Sequence, residues 1–492
     1  MTDLVLGLDI GTSSSKACLA DTGGRIVHLA ERPHATSMPR PGWFEHDAES
    51  VWWRDAVELV RESVAQAGQP PVAVCVSGIG PCLLPTTGSG EPLRPAILYG
   101  IDTRASAEIA EIERALGEDR ILARGGSPLT SQAIGPKLLW LRRHEPDVWA
   151  RCRRFYMASS FLVHRLTGEY VLDHHSASQC DPLYDLAGES WATDWADEIA
   201  PGLELPRLLW PGDLAGRVTT EGATRTGLAE GTPVMAGTID AWAEAASVGV
   251  SEPGDLMLMY GTTMFLVQVV AQARPDACLW TTRGIRPGTL TLAGGMATSG
   301  ALTAWFRDLT GASYEQLLTD AAATPPGADG VVILPYFAGE RTPLFDVAAR
   351  GAVLGLTLHH GRGHLYRALL EATAFGVRHN LQVMSESAGP PVRVAAVGGG
   401  TKGELWLQIV SDVTGLPQEL RTYTVGASYG DAWLAATGCG LSGPQADWNP
   451  VVARVSPNPD AAERYAELYD VYRELYPATS GLAHRLAAIQ ET

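Results

Sequence analysis

LVLGLDIGTSSSKACL, residues 4–19, is the stretch on which the reading of this chain turns. Leu4, Val5, Leu6 and Leu8 make a buried strand, a Gly/Thr/Ser turn follows, and a second strand begins near Lys16. Gly11 has no side chain to hold a ligand off the backbone. The hydroxyls of Thr12, Ser13, Ser14 and Ser15, with the amides of the turn, suit a phosphate nest. Asp9 ends the apolar strand, where an ionised carboxylate costs solvation free energy unless it is paired. A hydrated Mg²⁺ carried by a nucleotide supplies such a pairing. A hairpin with a Ser-rich turn, Asp9 making a local turn bond, accounts for the same residues.

At 492 residues the chain exceeds one core, so two domains of roughly 200–250 residues are expected. A formal charge of −18 argues against nucleic-acid and anionic-membrane partners. Seven scattered cysteines, with no CxxC pair, point to free thiols in a reducing compartment. No run reaches the about 18–20 apolar residues of a membrane span, and the start lacks a signal peptide's pattern. The expectation is a cytoplasmic protein.

Further along, Asp47 reads as the N-cap of an amphipathic helix through Ala67, stopped by Gly68. Val72–Val76 is a short strand running into a Gly-rich turn, Ile97–Tyr99 another strand, and Phe155–Leu166 a helical segment. Val234–Asp240 is strand and turn, followed by an Ala-rich helix to about Ser247. The opening pattern then recurs: Leu256–Tyr260 is a strand, Gly261-Thr262-Thr263 a turn, and Phe265–Val270 a return strand. Two strand–GT–strand hairpins, one near the start of each half, predict a duplicated α/β unit with a ligand cleft between residues 1–249 and 250–492. Gly294-Gly295 precedes a helix holding Trp305 and Phe306, and His364–Ser387 is a long helix. Val392–Val397 runs into Gly398-Gly399-Gly400-Thr401-Lys402, where backbone can lie flat against a planar or phosphate-bearing ligand ahead of a helix. This is neither the GxGxxG fingerprint nor a P-loop, and such turns also arise from packing alone.

Taken together these motifs resemble the FGGY family of carbohydrate kinases, which share the actin/hexokinase-like (ribonuclease H-like) architecture. GLDIGTSSSK (7–16) is similar to the family's first phosphate loop, and PGWFEHDAESVWW (41–53) to its next N-terminal block. Residues 236–249 resemble the segment carrying the catalytic aspartate, which falls on Asp240, and MYGTT (259–263) resembles the second phosphate loop. GERTPLFDVAARG (339–351), with the run through Glu371, is similar to the C-terminal signature, and residues 398–417 to the adenosine-binding segment. Departures fall around the sugar. Ile134 and Gln132 break the N-terminal signature, and Gly80-Pro81 stands where xylulokinases carry Met-His and glycerol kinases Arg-Glu.

The resemblance implies transfer of the ATP γ-phosphoryl group to a hydroxyl of a small sugar or polyol. Its best match is a ketopentose of the xylulose or ribulose type. Alternatives are a four-carbon polyol, an aldonate or glycerol as acceptor, and a sugar- and ATP-binding regulator without catalysis. Asp240 is then the base, although on pattern alone it reads as a helix N-cap. Asp9 belongs to Mg²⁺. Gly11, Thr12, Ser13, Gly261, Thr262 and Thr263 surround the phosphates, and Gly300, Gly399, Gly400 and Lys402 meet the nucleotide, with Lys402 equally readable as a solvated lysine at a helix start. Asp102, Arg104 and Gln132 are candidates for the sugar, with Asp102–Arg104 equally readable as a structural ion pair. Of Trp52 and Trp53 one reads as core rather than as a sugar-stacking platform. The twelve histidines, including His174-His175 and His359-His360, show no metal-ligand spacing. A homodimer fits the family.

Overall fold

The computed structural model describes residues 3–490, which fall into two compact units. Residues up to Ser251, with 281–291 and 425–449, form the first; Glu252–Trp280, Leu292–Thr424 and the chain from Pro450 form the second. The strands that organise the first unit are β1 (Leu4–Ile10), β2 (Ser14–Asp21), β3 (Ile26–Pro33), β4 (Ala73–Gly78), β5 (Leu214–Arg217) and β6 (Pro233–Met235). Those of the second are β7 (Asp255–Tyr260), β8 (Met264–Val270), β9 (Arg393–Val397), β10 (Gln418–Arg421) and β11 (Val451–Val455). The helices that position the site are α1 (Arg54–Ala67), α2 (Asp240–Ser247), α3 (Gly300–Thr310), α4 (Arg362–Ala388), α5 (Glu404–Thr414) and α6 (Ala427–Gly438).

In the first unit the sheet runs β5-β6-β4-β1-β2-β3. Strand β1 pairs antiparallel with β2 and parallel with β4, and β4 pairs parallel with β6. In the second, β7 pairs antiparallel with β8 and parallel with β9, while β9 and β10 are parallel and β11 returns antiparallel. Five strands thus correspond one to one, and the hairpin repeat seen in the sequence is a repeat of topology.

Every residue of β1 is buried, the continuous apolar run of a strand covered on both faces, whereas edge strand β3 alternates half-buried with exposed positions. Trp52, Trp53, Leu59, Val74, Val76 and Phe161 fill the core around it, so both tryptophans are core.

Helix α6 belongs to the first unit although it follows most of the second in sequence. A Cβ added at Gly7 lies 1.9 Å from the Ser428 carbonyl oxygen, and one at Gly430 lies 1.8 Å from that of Ala243. Ser77 Oγ donates to Asp431 at 2.5 Å, Tyr429 Oη to the Gly24 carbonyl at 2.7 Å, and Asn449 Nδ2 to the Ser247 carbonyl at 2.9 Å. Residues 281–291 are held in the same way, with His175 Nδ1 donating to the Arg283 carbonyl and Trp242 Nε1 to Thr291.

Several boundaries differ from expectation. Strand β2 starts at Ser14, two residues before Lys16, because the turn is shorter than its polar residues suggest. The 47–67 helix opens with a wide π turn over Ala48–Trp53, capped by Asp47 Oδ1 on the Ser50 amide. The strand expected over Ile97–Tyr99 is Ala96–Ile97. The expected helix over Phe155–Leu166 is a strand, Arg154–Tyr156, then a helix, Ala158–Thr167. Gly294 and Gly295 lie inside a strand, Leu290–Met296: a Cβ at either meets atoms within 3 Å, so the glycines serve packing.

Gly7→Ala destabilises the folded protein by at least about 3 kcal/mol, because backbone must move to admit the methyl group. Urea unfolding checks this, and a midpoint equal to wild type contradicts the packing described.

Candidate active site

Asp9 sits at the C-terminal end of β1, in register with Lys16 on β2 and Ser77 on β4. Residues paired across neighbouring strands face the same side, so carboxylate, ammonium and hydroxyl converge. Asp9 is 7% exposed, and its Oδ1 has no hydrogen-bond partner among the described residues. Asp240 opens α2. Ile239, not Asp240, holds the cap position, and the carboxylate accepts from its neighbour's amide, Ala241 N, at 2.7 Å. Glu244 lies one helical turn on, on the same face.

Burial raises the pKa of Asp9 and of Asp240, and Asp240's charge raises Asp9 further, with Lys16 opposing on both. Glu244 is pushed up to about 7 by burial and by Asp240. Three carboxylates face one lysine. A divalent cation fits that imbalance, and the unpartnered oxygen of Asp9 is the atom best placed to hold it, directly or through water. Glu244 had no signal in the sequence beyond its i+4 spacing from Asp240. The loop ahead of Asp240 is fixed from behind: Thr238 Oγ1 donates to Asp173 Oδ1 at 3.0 Å, and a Cβ at Gly237 lies 1.7 Å from the Val76 carbonyl oxygen.

The turn between β1 and β2 is tight, with Gly11 N donating to the Ser14 carbonyl at 3.0 Å. Its carbonyls are bound from outside. His34 Nε2 donates to Gly11 O at 3.1 Å, His34 N to Ser13 O at 2.9 Å, and Thr36 Oγ1 to Thr12 O at 2.9 Å. The Thr12 hydroxyl meets Tyr99 Oη at 3.0 Å. Behind His34 stands Asp55, 2.8 Å from Nδ1, which also accepts from Ser15 Oγ at 3.1 Å. Burial opposes ionisation of Asp55, but the bonds from His34, Arg54 and Ser15 hold its pKa below the usual carboxylate range. The available signal for this support was a carboxylate on the apolar face of α1, between Trp52 and Leu59.

Among the sugar candidates, Asp102 and Arg104 form a buried ion pair. Arg104 donates from Nε at 2.9 Å and Nη2 at 2.8 Å, Asp102 also accepts from Phe44 N at 2.7 Å, and Glu45 lies 2.8 Å from Arg104 Nη1. The guanidinium stands over Trp43, 4.2 Å from its ring centre. Gln132 Oε1 accepts from Gly100 N at 2.9 Å, and the buried Lys137 Nζ reaches the Gln132 carbonyl at 3.3 Å. Burial lowers the pKa of Lys137 to about 8.

In the second unit, Gly261, Thr262, Gly300, Gly399, Gly400 and Lys402 line one cavity of about 680 Å³. Tyr260, Tyr314, Leu318, Tyr366 and Trp406 complete much of its wall. That is the size and character of a small-ligand site. Thr263 belongs to the turn but not to this wall. The start of α3 is docked on the second loop: Gly300 N donates to Gly261 O at 3.0 Å, and Ser299 N and Ala301 N to Thr262 O at 3.1 and 3.0 Å. A Cβ at Gly300 lies 2.5 Å from Gly261 O, and one at Gly400 lies 2.8 Å from Tyr260 and Trp406, so glycine permits both approaches.

Comparison with known proteins decides the family. Residues 4–249 match the N-terminal domain, and residues 256–439 the C-terminal domain, of the FGGY family of carbohydrate kinases. This chain belongs to that family. An FGGY kinase is a phosphotransferase that moves phosphate from ATP to an alcohol group, and the two-domain α/β fold is the family's. The chain is 28% identical over 505 residues to a xylulose kinase of Lactococcus lactis subsp. lactis, covering 99% of both chains. It is 33% identical over 458 residues to a glycerol kinase of Methylorubrum extorquens, covering 87% of this chain and 89% of that one. The crystal structure of xylulose kinase from Rhodospirillum rubrum matches 98% of this chain and all of its own, with a TM-score of 0.91 and 34% identity. Among the described residues no helix is long and apolar enough to cross a membrane.

Asp55→Asn loosens the Gly11–Ser14 turn through His34 and lowers kcat/KM for ATP by about ten- to a hundred-fold, with the fold retained. Steady-state kinetics check it; an unchanged kcat/KM contradicts the support role.

Proposed function

We propose that this FGGY kinase phosphorylates a ketopentose of the xylulose or ribulose type, with Asp240 as the base. The observation that carries the chemistry is the cluster of Asp9, Asp240 and Glu244 around Lys16, all three acids raised in pKa by burial. A base whose pKa lies nearer neutrality than an ordinary aspartate's is better matched to accepting a hydroxyl proton. The full-length relatives named xylulose kinase support the ketopentose. The relative named glycerol kinase supports a second reading, a shorter polyol, and Gly80-Pro81 matches neither sugar-contacting pair of the resemblance.

In this reading residues 1–249, with 425–449 packed on them, bind the acceptor and carry the first phosphate loop, while the rest of 250–492 binds the nucleotide. Gly11, Thr12, Ser13, Gly261, Thr262 and Thr263 meet the phosphates; Gly300, Gly399, Gly400 and Lys402 meet the nucleoside end. Gln132 offers its amide nitrogen to the acceptor within the frame that Asp102 and Arg104 hold. Asp9 would hold a magnesium ion, which would supply neutralisation of phosphate charge. Asp240 takes the hydroxyl proton while the acceptor oxygen bonds to the γ-phosphorus and the bond to the β-phosphate oxygen breaks, releasing ADP. Retention of both Asp9 and Asp240 argues against a regulator without catalysis. Seven free cysteines, five of them buried, suit a reducing cytoplasm.

The test is ADP release from Mg-ATP with pentuloses, hexuloses, aldonates, glycerol and four-carbon polyols, for wild type and Asp240→Asn. A pentulose is expected to stimulate wild type most, and kcat to fall by about 10³-fold in the variant. Stimulation by glycerol alone moves the substrate to the second reading. Equal stimulation in wild type and variant removes Asp240 from the base role.

A further inference from the structure

Across the start of α4 the sequence reads His359-His360-Gly361-Arg362-Gly363-His364. Along the chain these histidines have no ligand spacing, but the fold adds a partner from elsewhere. Asp329, in a short turn at Ala328–Gly330, brings its carboxylate to 3.1 Å from His364 Nε2. One ligand atom from each of Asp329, His359 and His364 lies within 4.8 Å of the other two. His360 closes the group from behind: its Nδ1 accepts from Thr357 N at 2.9 Å, and its Nε2 donates to the Asp329 carbonyl at 3.3 Å. The three imidazoles stand 5.2–6.2 Å apart, centre to centre. Asp329 is held at φ +52°, a conformation aspartate tolerates better than most residues and one that aims its side chain at the histidines.

We propose that Asp329, His359 and His364 bind a divalent first-row transition ion of the Zn²⁺ class. Two imidazoles and one carboxylate form a borderline N/O donor set that suits zinc, cobalt or nickel, and not the oxygen-seeking magnesium of the phosphate site. Asp329 and His359 are exposed and His364 is half-buried, so small side-chain rotations contract the group without moving the core. Three protein ligands leave a position open to water. Binding has a structural cost and a consequence. His364 Nδ1 accepts from Gly361 N at 3.1 Å, and an ion on Nε2 shifts the ring's proton to Nδ1, so that bond is given up. In exchange the ion ties the 328–330 turn to the first turn of α4, two residues before Tyr366, which lines the nucleotide cavity.

The test uses the full-length, chelator-stripped protein titrated with Zn²⁺ alone, by calorimetry and by competition with a chromophoric chelator. The companion is the surface double variant Asp329→Asn/His359→Gln, which leaves His364 and its helix start intact. Wild type is expected to bind one Zn²⁺ more than the double variant at micromolar concentration, with at least a ten-fold loss of affinity for that ion in the variant. Zinc should also raise the melting temperature of wild type and not of the variant. Equal stoichiometry and affinity in the two proteins, whether from ions held by cysteines elsewhere or from no binding below millimolar, overturns the proposal.

Discussion

The constraint on which the rest depends is a carboxylate at the end of a buried strand. Asp9 leaves the core of the first sheet with almost no contact with water and one oxygen unpartnered. Asp240 and Glu244 add negative charge on the same side, and Lys16 alone opposes them. Such an arrangement is unfavourable for the protein by itself, and a ligand carrying a cation would relieve it. The surrounding structure keeps those acids together. Gly237 lets the 237–240 turn lie on β4, Gly7 and Gly430 let α6 lie on β1 and α2, and the Asp55–His34 pair holds the Gly11–Ser14 turn from behind.

Much of this was legible in the sequence because its signals are local. An apolar run followed by Gly and hydroxyl residues marks strand and turn in both halves, and β1–β2 and β7–β8 form where that pattern lies. Helix ends were readable at Asp47, Gly68 and Gly415, where capping chemistry is explicit. What escaped depends on distant pairs. The strand at Arg154–Tyr156 exists because it pairs with Leu84–Thr86, and its apolar residues suit a helix equally well. The attachment of residues 425–449 to the first unit rests on close backbone approaches that no periodicity displays.

The candidate site divides along the same line. Asp9, Asp240 and the glycines came from motifs, and the structure places Gly261, Thr262, Gly300, Gly399, Gly400 and Lys402 around one cavity. Glu244, His34 and Asp55 were missed, since each acts through neighbours 4 to 40 positions away. Asp102 and Arg104 show the converse: a polar pair suggestive of ligand contact is largely committed to itself, to Glu45 and to the backbone of Phe44.

The most direct test is proton release on binding. A non-hydrolysable ATP analogue preloaded with magnesium is added at pH 7, and the heat is measured in buffers of different ionisation enthalpy. Carboxylates held partly protonated by burial should release protons when the cation arrives, up to about one per chain, and the release should vanish in Asp9→Asn. Binding with no release in wild type would mean that the three acids are already ionised, and the electrostatic account of the site would be wrong.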